Sequence, residues 1–314
     1  MHAVTIVDGA LEWAEHPDPV PGPGQLLVSV EAAGINNADL IQRAGFYPAP
    51  PGVPPDIPGM ELAGKVVACG PGTSRFAEGE RVMALVGGGA QAELAVVEEA
   101  HTMAVPRRVG SDEAGGFPEA YCTAFDALHI QCGLSVGERV LVTGAAGGVG
   151  TSAVQLAAAA GAYVVASVRH PELHDAVRAF GARHADDPER AVELGPFDVV
   201  LELVGGPGFG ASLQALGTGG RMAVIGVGGG GRVELDLLAL MGRRAQVRGS
   251  TLRARSHAEK ELVVRATESQ VVPLLGSGTV RVVLAATYPM AEAEAAYTRF
   301  GEGAKLGKLV LVRG

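Results

Sequence analysis

VLVTGAAGGVGTSAVQLAAAAGAYVVASVRH, Val140 to His170, decides how the rest of the chain is read. An apolar run breaks into small residues at Gly144, continues as an alanine-rich segment, and turns apolar again from Tyr163. Strand, glycine turn, helix and strand in that order make a βαβ unit. Gly147 and Gly150 take the second and third glycine positions of a dinucleotide fingerprint, with Ala145 at the first and Gly144 just before it. Backbone must approach a pyrophosphate closely at such a turn, where the helix N-terminus offers N–H groups to an anion. Gly147, Gly148 and Val149 are the expected donors. A tight corner without a ligand is the alternative, and the second strand at βαβ distance favours the cofactor.

The end of that second strand bears on which dinucleotide is bound. NAD sites place an acid about 20 residues beyond the glycines, for the ribose 2′-hydroxyl. Here the window reads Ala166-Ser167-Val168-Arg169, and the first acid is Glu172, after Pro171. Ser167 and Arg169 suit a 2′-phosphate instead, since a guanidinium pairs well with phosphate. NADPH is the expected cofactor.

Working outward, RVLVTG, AYVVASV, FDVVLELVG, GRMAVIGV and AQVRGS read as compact apolar strands with helices between several of them. This alternation implies a doubly wound parallel sheet, a Rossmann domain, over residues 119–261. Ligands bind such sheets at the carboxyl ends of the strands, which singles out Val204 and Gly205 closing FDVVLELVG and Gly226 and Val227 closing GRMAVIGV. Upstream the grammar differs. Gln25–Ile35, Glu61–Gly70, Glu80–Val86 and Ala92–Glu98 read as strands between proline-rich loops, so residues 1–118 form a β-rich domain. At the C-terminus one long helix (Ala258–Leu275), a strand (Val280–Ala286), a helix (Met290–Phe300) and the strand KLVLV follow. Those last strands differ from the parallel sheet and are expected to rejoin the first domain as residues 262–314.

Composition excludes several classes. The 314 residues are 47% hydrophobic and 19% charged, with a net charge of -9. This is a globular chain, and its acidity argues against nucleic acid as a partner. The N-terminus lacks the pattern of a signal peptide, and Gly161 interrupts the longest apolar run. Cys69, Cys122 and Cys132 form an odd, scattered set, which points to free thiols in a reducing cytoplasm. His170 and His174 share a helical spacing, but Pro171 lies between them and no third ligand is evident. No metal is expected.

The order of a β-rich domain, a GAAGGVG Rossmann domain and a returning C-terminus resembles the medium-chain dehydrogenase/reductase superfamily over essentially the whole chain. Within it, AAGINNADLIQRAGFYPAPP, IPGMELAGKVVACGPG, FPEAYCTAFDAL, GSTLRAR and KLGKLVL resemble the zinc-independent quinone oxidoreductases related to zeta-crystallin. The resemblance implies a GroES-like catalytic domain beside the Rossmann domain. Zinc alcohol dehydrogenases of the superfamily carry Cys where Asn36 stands and Gly-His-Glu where this chain has Gly59-Met60-Glu61; their other catalytic ligand falls near Glu119. Asn36 and Met60 are poor zinc ligands.

Carried over residue by residue, Asn36 and Tyr47 match positions lining the cleft beside the nicotinamide, as catalytic candidates. Asn36 would donate to a carbonyl oxygen or to the nicotinamide ribose, and Tyr47 would bond or stack on the acceptor. The competing readings are a helix cap at Asn36 and simple packing at Tyr47. Thr123 matches a position facing the cofactor. Lys308 follows the family pattern toward the cofactor cleft, or is a surface charge. Asp39 reads as a cap or a paired charge near its helix start; Arg253 closes a block, Gly249 to Arg253, that resembles one close to the nicotinamide in the family, and Arg253 and Arg255 read equally as solvated helix-start charges. Without a Lewis acid, the acceptor has to spread incoming charge itself, which a quinone or conjugated enone does. The expectation is an NADPH-dependent quinone reductase, with enone or enal reduction, or binding of NADPH without turnover, as alternatives. A sheet edge near AQVRG, with the family's habit, implies a homodimer.

Overall fold

The computed structural model describes residues 1–314. Fifteen strands follow in chain order. The first seven are β1 (His2–Val7), β2 (Ala10–Glu15), β3 (Gln25–Gly34), β4 (Glu61–Cys69), β5 (Arg81–Leu85), β6 (Leu94–Glu98) and β7 (Thr102–Ala104). Then come β8 (Arg139–Val142), β9 (Tyr163–Ser167), β10 (His184–Asp186), β11 (Phe197–Glu202), β12 (Leu216–Val224) and β13 (Gln246–Gly249). The last two are β14 (Leu284–Pro289) and β15 (Lys308–Val312). The chain divides into two compact units, Met1–Cys122 with Leu252–Gly314, and Thr123–Thr251.

In the first unit, a sheet runs β14-β15-β3-β4-β5-β7, with β6 also paired to β3. β3 alternates buried and partly exposed residues, so Leu26, Val28 and Val30 enter the core on one face. That alternation is what a strand with one covered face requires. The C-terminus returns to this sheet: β15 pairs antiparallel with β3, Val310 opposite Gly34. β1 and β2 form a separate hairpin that the sequence reading did not identify. The long helix expected at Ala258–Leu275 is two, His257–Gln270 and Val272–Ser277. Pro273 is the physical reason, since it has no N–H for the helical ladder. The strand expected at Val280–Ala286 is found at Leu284–Pro289.

The second unit holds a parallel sheet in the order β10-β9-β8-β11-β12-β13. Its central strands are buried almost throughout, as Val140–Val142 and Val199–Leu201 show. Continuous apolar strands belong to a sheet covered on both faces, and each fully buried Leu or Val contributes roughly 1.5–3 kcal/mol. β10 has only three residues and was not foreseen. The chain order reverses between β8 and β11, so their carboxyl ends flank the crevice where such sheets hold ligands. No helix is long and apolar enough to cross a membrane.

Candidate functional site

The glycine turn begins at the end of β8. Gly144 has φ +58°, a left-handed conformation open to glycine, and the Gly148–Ala159 helix starts after Gly147. A Cβ on Gly150 would collide with the backbone of Gly144 and Ala145, so helix and strand pack only with glycine there. Gly147 is different: a Cβ would meet only Gly144 O, at an ordinary 3.5 Å. The protein itself does not need glycine at 147, and the missing side chain leaves open a place that a pyrophosphate would fill.

The donor set differs by one residue from the one expected. Gly147 N–H already donates to Gly144 O at 3.0 Å. The helix's first N–H groups, those of Gly148, Val149 and Gly150, have no carbonyl four residues back within the helix. Ser167 is buried at the end of β9, and its carbonyl takes the Ala145 N–H at 3.1 Å. Arg169 is exposed just beyond. Glu172 pairs with His170, and His174 donates to Val168 O. These residues fit a dinucleotide.

Across the crevice, Glu202 is a residue that sequence reasoning missed. It is 1% exposed at the end of β11, and its Oε1 accepts Thr143 Oγ1 at 2.9 Å, Val204 N–H at 2.9 Å and Gly205 N–H at 2.8 Å. The Val204 and Gly205 N–H groups are therefore spent within the protein. Val204 O in turn accepts Gly229 N–H at 2.7 Å, joining the loops after β11 and β12. Gly226 lies against Leu203 backbone, and Val227 is half exposed. An acid closing a strand beside a Val-Gly turn was the available signal. Thr123 is buried on the Pro118–Phe125 helix.

The first unit concentrates its polar groups around Asn36. This residue caps the Asn37–Arg43 helix, and its N–H donates to Asp39 Oδ2 at 2.8 Å. Asp39 Oδ1 also accepts Gly59 N–H at 3.1 Å. Burial pushes the Asp39 carboxyl up to about 6, against the lowering pull of those N–H groups and of Lys308. The Asn36 side chain has other partners. Its Nδ2 donates to Glu61 Oε1 at 2.9 Å, and its Oδ1 accepts from Lys308 Nζ at 2.6 Å. Lys308 also donates to Ile35 O at 3.0 Å and pairs with Glu61 at 2.5 Å. It is no surface charge. Glu61 Oε2 takes the Glu119 N–H at 2.9 Å, and Gly34 has no Cβ to strike the Glu61 carboxylate.

Arg253 is likewise buried rather than solvated. It donates to Gly87 O at 2.7 Å, Tyr47 O at 3.2 Å and Gln42 Oε1 at 2.6 Å, and its guanidinium lies 4.9 Å from the Tyr47 ring centre. Burial lowers its proton affinity. The half-buried Tyr47 is thus tied, through Gln42, to the helix that Asn36 begins. None of the three cysteines is in a disulfide; Cys122 and Cys132 are buried, and burial raises the Cys132 thiol to about 11. No thiolate nucleophile arises at Cys132.

Comparison with known proteins shows the family of the chain. Residues 22–124 match the alcohol dehydrogenase GroES-like domain, and residues 148–268 match the zinc-binding dehydrogenase family. The chain is 31% identical over 318 residues to the chloroplast envelope quinone oxidoreductase homologue of Arabidopsis thaliana, covering 96% of this chain and 93% of that protein. It is 31% identical over 306 residues to polyketide synthase GfsB of Streptomyces halstedii, where 96% of this chain spans 5% of the synthase. It likewise spans 15% of a mycocerosic acid synthase-like polyketide synthase of Mycobacterium tuberculosis. Among solved structures, the quinone oxidoreductase of Thermus thermophilus, described with its NADPH complex, has a TM-score of 0.86 at 34% identity, covering 99% of this chain and 100% of that one.

The matched family is a zinc-binding one, so the chemistry of the donors at this site bears on whether a metal fits it. Zinc takes Cys, His and carboxylate ligands. Asn36 and Met60 offer an amide and a thioether, and the Glu61 carboxylate already holds an ammonium ion. No group of three or more His, Cys, Asp or Glu side chains is placed to hold a metal. These residues do not fit zinc.

Proposed function

Because the chain belongs to the medium-chain dehydrogenase/reductase superfamily, as a quinone oxidoreductase-like member, we propose that it is an NADPH-dependent quinone reductase working without zinc. The observation that carries this reading is the Asn36–Lys308–Glu61 cluster, which puts an amide and a buried ammonium where a Lewis acid would need ligands. Such a site stabilises a localised alkoxide poorly and suits an acceptor that delocalises charge over a π-system.

NADPH, when bound, supplies the hydride that, with a proton from solvent, turns a quinone into a hydroquinone. Gly148, Val149 and Gly150 would hold the pyrophosphate with their N–H groups, and Gly147 would let it approach. Ser167 and Arg169 would take the 2′-phosphate; Arg169 has no ion-pair partner to give up. Thr123, Gly205, Gly226 and Val227 would border the cofactor. The Asn36 amide would donate to the acceptor's carbonyl oxygen, and the Tyr47 ring would pack against the acceptor. Lys308 supports Asn36 and does not itself hold the cofactor in this reading.

Reduction of the C=C bond of an enone or enal is the second reading, supported by the similarity to segments of polyketide synthases. A panel of 1,4-benzoquinone, ortho-quinones and 2-alkenals, followed at the nicotinamide absorbance with NADPH and NADH, separates the two. Turnover of alkenals with inert quinones would replace the first by the second. NADPH binding with no turnover on any of them would leave a binding protein.

We also propose a homodimer. β13 pairs only with β12, leaving a sheet edge. Leu237, Leu238 and Met241, on the helix that precedes β13 in the chain, are 61% to 79% exposed. An open edge beside apolar side chains calls for cover, which a second copy would supply. Light scattering reading a monomer at working concentration would reject it.

A further inference from the structure

Resting on that reading of the site, we propose that Lys308 and Glu61 are positioning residues that lock the Asn36 amide in one orientation, so that an N–H group, and never the carbonyl, faces the acceptor's oxygen. The two ends of an asparagine amide have nearly the same shape, so packing alone does not choose between them; partners do. An ammonium only donates and a carboxylate only accepts. Lys308 Nζ lies 2.6 Å from Asn36 Oδ1, and Glu61 Oε1 lies 2.9 Å from Asn36 Nδ2. Flipping the amide would set N–H against the ammonium and oxygen against the carboxylate, and both hydrogen bonds would become repulsions.

The lock is itself anchored. Lys308 is held by Ile35 O at 3.0 Å, Glu61 by the Glu119 N–H at 2.9 Å, and Gly34 leaves the carboxylate room. Exposure falls from Asn36 at 9% through Lys308 at 4% to Glu61 at 0%, so Asn36 is the residue of the three that a ligand reaches most readily. Of the two Nδ2 hydrogens, Glu61 takes one. The second remains for an acceptor oxygen, and the ammonium on Oδ1 draws electron density toward itself and makes that N–H a stronger donor. A charge-polarised amide thus stands in for part of what a metal does in carbonyl activation.

The test combines Lys308→Met with Glu61→Gln, which removes both charges of the pair together, so that neither member is left buried without the other. The amide that replaces the carboxylate can donate or accept, so Asn36 loses its instruction. The first readout is kcat across 1,4-benzoquinones bearing donating or withdrawing substituents. Loss of the oriented donor should lower kcat by about tenfold for the electron-rich members and less for the electron-poor ones, steepening the substituent dependence, with NADPH affinity unchanged. A merely structural role would lower all rates alike, and parallel slopes would overturn the proposal.

The second readout does not need turnover. In the wild-type protein the two Asn36 side-chain amide protons should be well separated in the NMR spectrum, one of them slow to exchange. In the double variant the slow proton should be lost; an unchanged pair of signals would refute the lock. Wild-type enzyme inert toward every quinone and enone would strike the functional reading instead, and this second readout would still decide the orientation.

Discussion

Lys308 Nζ and Glu61 Oε1 stand 2.5 Å apart, with their side chains 5% and 0% exposed. Two charges brought this far from water depend on each other, because each alone would meet the full cost of desolvation. Lys308→Met on its own should therefore destabilise the protein by about 3–5 kcal/mol. Adding Glu61→Gln should return most of that loss. Urea unfolding of the two variants checks this, and equal midpoints for single and double variants would contradict it.

Gly147 and Gly150 should separate ligand approach from packing. Gly150→Ala drives a Cβ into Gly144 and Ala145 backbone, and should cost about 1–3 kcal/mol of stability. Gly147→Ala meets only an ordinary contact and has φ −75°, which any residue adopts. Its stability should stay within about 1 kcal/mol of wild type, while NADPH affinity falls by about tenfold or more. Unfolding curves and titration of NADPH fluorescence report the two effects separately.

Arg169 bears the cofactor preference in the proposed reading. Arg169→Ala should weaken NADPH by roughly 1–3 kcal/mol, the worth of hydrogen bonds to a charged group, and leave NADH within about twofold. The comparison is kcat/KM with each cofactor. Equal losses for both would remove the guanidinium from phosphate recognition.

Asp39 gives a pH signature of definite sign. Its carboxyl is raised from 3.8 to about 6, so the folded state holds the proton more tightly than the unfolded chain. The stability this supplies is fully present below about pH 4 and is lost as pH rises through about 6, a change of roughly 3 kcal/mol. Asp39→Asn lacks that titration. The variant should be more destabilised relative to wild type at pH 4 than at pH 7, in paired urea unfolding at the two values. A constant difference would show that Asp39 does not titrate in this range.

Much of the architecture follows from local rules that a sequence displays. The apolar runs at Val140–Val142 and Val199–Leu201, the glycines at 144, 147 and 150, and the alternation along Gln25–Gly34 each dictate their element through spacing. β10 was not legible for the opposite reason: three residues at a sheet edge carry no periodicity, and only β9 beside them makes them a strand. The break in the C-terminal helix was legible in Pro273, which a reading as one continuous helix passes over.

The polar chemistry divides differently. Sequence by itself determined the kind of group at each position: an amide at 36, a thioether at 60, an acid at 61, and no acid at the end of β9. It did not determine who meets whom, because Lys308 and Glu61 lie 247 residues apart and a lone lysine on a strand reads as a solvated charge. Only the return of β15 to β3 buries that ammonium against Asn36, and only the folded first unit turns Arg253 inward onto Gln42 and the Tyr47 ring. Hydrophobic periodicity is a property of neighbours along the chain, whereas the pairing of buried charges is fixed by which distant segments the sheet brings together.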